Sequence, residues 1–308
     1  MSLIERALQK ARVNRPAPPT HEARDRGPNT VPVPIVTEVP SQPIVPPPPT
    51  AAVVAKGFPR IVSTPQLTIS DAMLREKGLR ALPEDEQQQR AEYRHIKHGL
   101  LPELRAPDGK RTVVITSALQ GEGKSFSAAH LAMSLAVEPD YTVLLVDADV
   151  IRPNLTRTFG LAGRPGIMDA VVDPSVDVQS LIVTTNIEGL SLLPAGRPHE
   201  NATEHFASAR MREVIEQLLA VPNRIVVIDS LPLLLTTEAR ALSPVAGQII
   251  LVVRAESTAQ SAVMQALELL GEGANVKLVL NAVVRTKALG YLGAEYGYGY
   301  NYNAEKTP

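Results

Sequence analysis

Short apolar runs alternate with segments of helical periodicity from residue 112 onward. Six runs rich in Val, Ile and Leu lie at 112–116, 142–146, 190–193, 224–228, 248–253 and 276–280. Helix-like segments lie between them, at 125–137, 207–220, 236–242 and 259–270. Strands that are apolar throughout and alternate with helices are typical of a parallel sheet covered on both faces. The pattern predicts an α/β fold with a doubly wound, mostly parallel sheet, whose ligands bind at the carboxyl ends of the strands.

A glycine-rich loop follows the first of these runs. Residues 118–125 read ALQGEGKS and lie between a predicted strand and a predicted helix, the context that a phosphate-binding loop requires. The two glycines let backbone amides approach phosphate oxygens, while the lysine supplies a cation and the serine hydroxyl a Mg²⁺ ligand. The predicted nucleotide-binding residues here are Gly121, Glu122, Gly123, Lys124, Ser125 and Phe126. The alternative is a chance Gly-Lys-Ser turn, and Ala118 stands where the strict pattern has its first glycine. Because the loop lies between a predicted strand and a predicted helix, we expect a sheet of the P-loop NTPase type.

Acidic residues follow two further predicted strands. Asp147 and Asp149 come directly after the run at 142–146, and Asp229 comes directly after the run at 224–228. Carboxylates beside a triphosphate can hold Mg²⁺ or accept a hydroxyl proton. Their alternative role is to cap a helix or lie in a solvated turn. Because the residues fall at the same predicted edge as the loop, the sequence predicts one site.

Tyrosines are concentrated at the end of the chain. Five of the seven lie in the last eighteen residues, at Tyr291, Tyr296, Tyr298, Tyr300 and Tyr302. Glycines alternate with several of them and raise the entropy of the free chain, which favours a flexible tail at 291–308. Together with a nucleotide site, this favours phosphoacceptor tyrosines over a packed or self-associating aromatic patch.

The first part of the chain differs in composition. Residues 1–13 have the pattern of a short amphipathic helix that docks on its own domain or on a partner. Residues 14–65 form a predicted disordered, Pro-rich linker, since 14 of the 27 prolines lie between 16 and 65. Residues 66–290 are the predicted nucleotide-binding domain, with 66–103 largely helical.

Composition excludes several classes of function. The chain has no cysteine, which excludes disulfides and thiol catalysis. Its formal net charge of −1 does not indicate the excess of basic residues that is typical of nucleic-acid-binding proteins. Apolar stretches are all shorter than the ~18 residues needed to span a bilayer, so we expect no membrane span and a cytoplasmic protein.

These motifs together resemble those of the bacterial tyrosine kinases, which use deviant Walker motifs. The resemblance covers a Walker A segment at 117–125, a Walker A′ segment at 143–153, a Walker B segment at 225–232 and the tyrosine-rich tail. Residues 1–7 and 92–97 also resemble a narrower group, the tyrosine autokinases of exopolysaccharide loci linked to exosortase and PEP-CTERM sorting.

The resemblance implies an ATP- and Mg²⁺-dependent tyrosine autokinase that modifies its own tail in trans and regulates exopolysaccharide polymerisation or export. It assigns Lys124, Asp147, Asp149 and Asp229 to catalysis, with Asp147 as the base. The implied metal ligands are Ser125, Asp149 and Asp229, and Asn281 is placed near the adenine. The implied partners are further copies of the chain, in a possible ring, and a membrane adaptor or chain-length protein that would hold the kinase at the inner membrane.

The sequence departs from the family pattern at three places. Ile151 stands at the usual arginine of the Walker A′ motif, Gln120 replaces a common proline, and the oligomerisation motif survives as Ala91-x-x-Arg94-x-x-Lys97. Two other interpretations stay open. One is a partitioning-type ATPase, although Leu119 stands where that class has its signature lysine. The other is an ATP-binding scaffold without kinase activity.

Overall fold

The computed structural model describes residues 65–79, 83–106, 109–236 and 238–283. Its helices are α1 Asp71–Glu76, α2 Pro83–Arg105, α3 Lys124–Ala136, α4 Asn154–Thr158, α5 Ile167–Val172, α6 Ala202–Ala207, α7 Ala209–Leu219, α8 Glu238–Ala241 and α9 Gln260–Leu270. The strands are β1 Thr112–Ser117, β2 Thr142–Asp147, β3 Val183–Thr184, β4 Leu190–Leu193, β5 Arg224–Pro232, β6 Gln248–Arg254 and β7 Val276–Asn281. Short 3₁₀ turns lie at Val178–Leu181 and Ser243–Val245.

The seven strands form a single sheet in the order β3-β4-β2-β5-β1-β6-β7. Every neighbouring pair is parallel except β3 with β4. The chain moves outward from β1 to one side and later to the other, so the sheet is doubly wound. The predicted fold class is confirmed.

Helices cover both faces because the strands carry apolar side chains on both. On one face α2 and α3 pack Leu104 and Leu131 against alternate strand residues such as Ile115. On the other face α5, α6 and α7 pack against the intervening residues, with Phe206 and Met211 fully buried. The six predicted runs all become strands, and all but β7 are largely removed from water on both faces, whereas Leu278 and Leu280 of β7 are exposed.

The helical prediction for 66–103 is confirmed for most of its length, although the segment forms two helices, α1 and α2, and begins with a short extended stretch. A bridge joins Leu67 to Thr185, and α1 ends before Gly78, whose φ of 64° a residue with a side chain rarely adopts. The long helix α2 then begins at Pro83, a residue suited to a first helical turn.

The helix predicted at 207–220 is confirmed as α7, which begins at Ala209, whereas the preceding helix α6 at Ala202–Ala207 was not predicted. Ser208 has an extended ψ of 164°, its hydroxyl accepts from the N–H of Met211 and donates to the carbonyl of His205. A serine that bonds the neighbouring backbone in this way ends one helix and starts the next. The two-residue strand β3 was not predicted, since it is too short to show a pattern. In the described ranges no helix is both long and apolar enough to cross a bilayer.

Candidate active site

The glycine-rich loop joins the end of β1 to the start of α3. Gly121 and Gly123 have φ of 81° and 98°, values that favour glycine, so the loop turns sharply and α3 begins at Lys124. No side chain caps this helix, which leaves its first amides available to an anion. Lys124 is 7% exposed. The loop therefore has the backbone form of a phosphate cradle with a buried lysine at its base.

Glu122 turns its carboxylate into the protein. It is 2% exposed, and Oε2 accepts a hydrogen bond from the N–H of Leu119 at 2.6 Å. Oε1 accepts from the hydroxyl of Thr258, in the turn between β6 and α9. Only the backbone of Glu122 is thus free to contact a nucleotide.

Asn281 lies against the same loop, at the end of β7. Its Nδ2 donates to the carbonyl of Glu122 at 2.9 Å. A Cβ placed on Gly123 would lie 2.0 Å from that nitrogen, so the second loop glycine is required for this approach. The structure thus places Asn281 against the phosphate loop, while its predicted position near the adenine stays a prediction.

Asp147 is held firmly at the end of β2. Its Oδ2 accepts from the N–H of Thr156 at 2.8 Å and from the hydroxyl of Thr156 at 2.7 Å. Its Oδ1 accepts from the N–H of Asp149 at 3.2 Å. Burial raises the pKa of Asp147 to about 6, although the three donors oppose the shift. The carboxyl therefore titrates close to neutral pH.

Asp229 lies beside Asp147 on the adjacent strand, where the two residues are paired in register. It is fully buried, and neither carboxylate oxygen has a hydrogen bond of acceptable geometry within the described part of the chain. Burial raises its pKa well above the usual range, and the charge of Asp147 adds to the rise, while the nearby Ser125 hydroxyl and Lys124 lower it. A buried carboxyl with orphaned oxygens is stabilised either by a proton or by a bound cation.

Asp149 completes the acidic group. Its Oδ1 accepts from the N–H of Arg152 at 2.8 Å. Burial raises the pKa of Asp149, while that hydrogen bond and the charges of Lys124, Arg152 and Arg157 oppose the rise. The charge of Lys124 lowers the pKa of both Asp149 and Asp229, so the loop lysine lies near both carboxyls. The assignment of these residues to one nucleotide and metal site stays a prediction.

The donor set fits Mg²⁺ held together with a phosphate ligand. Among the described residues, no three His, Cys, Asp or Glu side chains converge into a cage for a metal ion. Mg²⁺ in phosphoryl-transfer sites instead takes one or two carboxylates, the substrate phosphates and water. The orphaned oxygens of Asp229 beside Ser125 meet that requirement without a dedicated protein cage.

Three groups of residues singled out in the sequence make no side-chain contribution to the site in the structure or lie outside the described residues. The ring of Phe126 packs 4.3 Å from that of His130 and joins the core, so only its backbone faces the loop side. Ile151 is 54% exposed, and no contact in the structure explains the replacement. The tail tyrosines and residues 1–64 lie outside the described residues.

Lys97, predicted as part of an oligomerisation motif, is buried and forms an ion pair within the chain. It is 6% exposed and pairs with Glu138 at 2.7 Å, which ties α2 to the end of α3. Arg94 remains exposed on α2.

Sequence reasoning missed two residues of the site. Thr156 and Thr258 each bond a carboxylate of the site through a hydroxyl. Neither stands in a recognisable motif, and each is separated along the chain from the carboxylate that it contacts. Sequence spacing carried no signal for them.

A phosphate loop at the end of a central strand, with acidic residues closing two adjacent parallel strands, defines a P-loop nucleotide-binding protein. The model of the AAA domain family matches residues 110–281. The tyrosine-protein kinase YwqD of Bacillus subtilis is 30% identical over 72% of this chain and 91% of its own length. A protein named as a tyrosine kinase, EpsB of Ralstonia nicotianae, is 31% identical over 62% of this chain, which spans only 26% of that longer relative.

Solved structures agree with the sequence matches. The kinase domain of the Escherichia coli tyrosine kinase ETK superposes with a TM-score of 0.56 at 25% identity, over 67% of this chain and 78% of that one. The chain therefore belongs to the bacterial tyrosine kinase family within the AAA domain proteins.

Proposed function

We propose that this chain is an ATP-dependent protein-tyrosine autokinase that phosphorylates Tyr291, Tyr296, Tyr298, Tyr300 and Tyr302 of a neighbouring copy. The observation that carries the proposal is the pairing of Asp147 and Asp229 beside Lys124. The Asp147 carboxylate is oriented by hydrogen bonds and has a pKa of about 6, and the buried Asp229 has two oxygens without partners in the described residues that can bind a cation. Phosphoryl transfer needs both functions, a group that accepts the hydroxyl proton and a group that holds the metal ion.

Asp147 is the base of the proposed reaction. The tyrosine hydroxyl oxygen forms a bond to the γ-phosphorus of ATP while the bond from that phosphorus to the ADP oxygen breaks. The hydroxyl proton passes to the carboxylate of Asp147. A pKa of about 6 leaves this group mostly ionised at pH 7 to 8 and still basic enough to accept the proton.

Lys124 and the loop amides bind and orient the phosphates. Ser125, Asp149 and Asp229 would hold Mg²⁺, which supplies neutralisation of the phosphate charge when bound. Lys124 and Asp229 are almost completely buried, in a medium of low polarity. Electrostatic interactions of their charged forms with the phosphates and the metal ion are stronger there than in water.

The positions of the two tyrosines outside the tail favour the tail tyrosines as phosphate acceptors. Two tyrosines lie outside the tail, Tyr93 and Tyr141. Tyr93 is 8% exposed and its ring stacks 4.9 Å from that of His130, so its hydroxyl cannot reach a γ-phosphate without local unfolding. Tyr141 directly precedes β2 and therefore lies at the amino ends of the parallel strands. The phosphate loop lies at their carboxyl ends, at the opposite edge of the sheet.

The cellular setting follows from the family. We infer a cytoplasmic kinase that assembles with itself and lies peripherally at the inner membrane through a membrane adaptor or chain-length protein. Cycles of tail phosphorylation would control exopolysaccharide polymerisation or export, because each phosphate adds about −1.5 to −2 charge and favours dispersal of the copies.

The test is to incubate the full chain with MgATP and map phosphate on residues 285–308 by mass spectrometry. Lys124→Ala and Asp147→Ala should abolish tail phosphotyrosine. The matched controls Lys110→Ala and Asp140→Ala alter exposed residues away from the site and should retain it. If the wild-type tail stays unmodified with and without a membrane adaptor while MgATP still binds, the chain is an ATP-binding scaffold and the proposal is wrong.

A further inference from the structure

The phosphate loop is attached to two elements on the far side of β1. Arg254, at the end of β6, donates from Nη1 to the carbonyl of Gly121 at 3.1 Å. Asn281, at the end of β7, donates from Nδ2 to the carbonyl of Glu122 at 2.9 Å. Two successive carbonyls of the loop are thus fixed by β6 and β7.

Fixing these carbonyls also orients two amides. A peptide unit is planar and trans, so its N–H points opposite to its C=O. The carbonyls of Gly121 and Glu122 belong to the same peptide units as the N–H groups of Glu122 and Gly123. Both N–H groups therefore point away from β6 and β7, toward the open side of the loop.

The Glu122 carboxylate closes this arrangement. Its Oε2 accepts from the N–H of Leu119, and its Oε1 accepts from the hydroxyl of Thr258. Thr258 accepts in turn from the N–H of Arg254 at 3.3 Å, and that N–H also lies 3.4 Å from Oε1 of Glu122. One buried carboxylate thus joins the start of the loop, its middle and the β6–α9 turn.

We propose that Glu122 is a positioning residue for the nucleotide phosphates. Held by Thr258 and the N–H of Leu119, it keeps the loop in the form that presents the amides of Glu122 and Gly123 to phosphate. This inference rests on the ATP binding of the proposed function, and it does not depend on which group accepts the phosphoryl. It gives Thr258, which lies outside every nucleotide-binding motif, a role in affinity for ADP and ATP.

The test uses Thr258→Val, which removes the hydroxyl and keeps the shape of the side chain. The matched control is Thr142→Val, because the Thr142 hydroxyl is also buried and has no partner in the described residues. MgADP affinity is measured by calorimetry on the full chain, with the thermal midpoint of the nucleotide-free protein as a check on folding. We expect Thr258→Val to bind MgADP about tenfold more weakly, which is about 1.4 kcal/mol. Thr142→Val should bind as the wild type does.

Two further variants separate positioning from general support of the fold. Thr258→Ser restores the hydroxyl and should bind MgADP within about threefold of wild type, while Glu122→Gln loses the charge and should weaken binding at least as much as Thr258→Val. In an active kinase, Thr258→Val should raise KM for ATP and leave kcat nearly unchanged.

The inference is overturned if Thr258→Val binds MgADP like wild type, or if Thr258→Ser is as weak as Thr258→Val. Loss of binding in Thr258→Val and Glu122→Gln, with an unphosphorylated wild-type tail, would support the positioning role and contradict the kinase. A wild-type chain that does not bind MgADP would contradict both.

Discussion

Thr156 holds the Asp147 carboxylate through two hydrogen bonds, from its N–H at 2.8 Å and its hydroxyl at 2.7 Å. The same hydroxyl accepts from the N–H of Ala195 at 3.0 Å, in the loop after β4. The proposed base is therefore oriented by a side chain that is itself fixed by a third element. Such outer contacts decide whether a catalytic group keeps its productive geometry.

Thr156→Val should lower kcat for tail phosphorylation by about tenfold, because Asp147 loses one of its three donors and is held less firmly in its productive orientation. KM for ATP should change little, since Thr156 does not contact the phosphate loop. Thr156→Ser should recover most of the rate. The matched control is Thr158→Val on the same helix. A rate for Thr156→Val equal to that of wild type would show that Asp147 needs no such support.

Asp229→Asn should stabilise the nucleotide-free protein. Burial raises the pKa of Asp229, so the folded state binds the proton more tightly than the unfolded state. The stability linked to this group is therefore complete below the unfolded-state pKa of about 4 and is lost as the pH rises through the folded-state pKa.

The thermal midpoint of Asp229→Asn should exceed that of wild type by at least about 2–4 °C at pH 8, the shift that ~1 kcal/mol produces in a chain of this size. The difference should shrink as the pH is lowered toward 4. Asp140→Asn, at an exposed carboxylate, should show no such gain. A midpoint for Asp229→Asn below wild type at pH 8 would mean that the charge of Asp229 is already compensated in the free protein.

Gly123→Ala should weaken MgADP binding by about a hundredfold or more. An alanine there would combine a strained φ of 98° with a Cβ only 2.0 Å from Nδ2 of Asn281, so the loop or β7 must shift. Gly160→Ala is the control, since its φ is 68° and no atom lies within 4 Å of the added Cβ. Calorimetric titration with MgADP compares the two. Equal affinity in both variants would show that the loop tolerates displacement from Asn281.

Lys97→Ala should destabilise the single chain more than Arg105→Ala does. Both side chains pair with Glu138, but Lys97 is 7% exposed at the side chain and Arg105 is 52% exposed. An exposed ion pair contributes about 0–1 kcal/mol, whereas loss of a buried partner leaves a poorly solvated charge and costs more. Urea unfolding at low protein concentration measures both. If Lys97→Ala instead leaves stability intact and changes only self-association, Lys97 belongs to an interface.

The sheet was predictable from sequence because most of its strands are buried on both faces, which leaves runs such as 224–228 without polar interruption. The acidic strand ends and the glycine loop were predictable for a related reason. Parallel strands that end at one edge bring Asp147, Asp229 and Lys124 together whatever the intervening helices do.

The remaining features depend on contacts that sequence does not display. Ser208 separates α6, which was not predicted, from α7 through hydrogen bonds to neighbouring backbone groups. Thr156 and Thr258 reach their carboxylates only after the chain has folded. The inward turn of the Glu122 side chain was likewise hidden, since the loop motif places that residue among the nucleotide contacts.

The most direct test of the central claim mixes two chains in the presence of MgATP. One carries Lys124→Ala and an intact tail, and the other has an intact site and phenylalanine at all five tail tyrosines. The two tail peptides differ in mass, so phosphate on each is counted separately. We expect phosphotyrosine on the tail of the Lys124→Ala chain, and none when that chain is incubated alone. An unmodified tail in the mixture, under conditions where the intact site binds MgATP and the required adaptor is present, would contradict this claim.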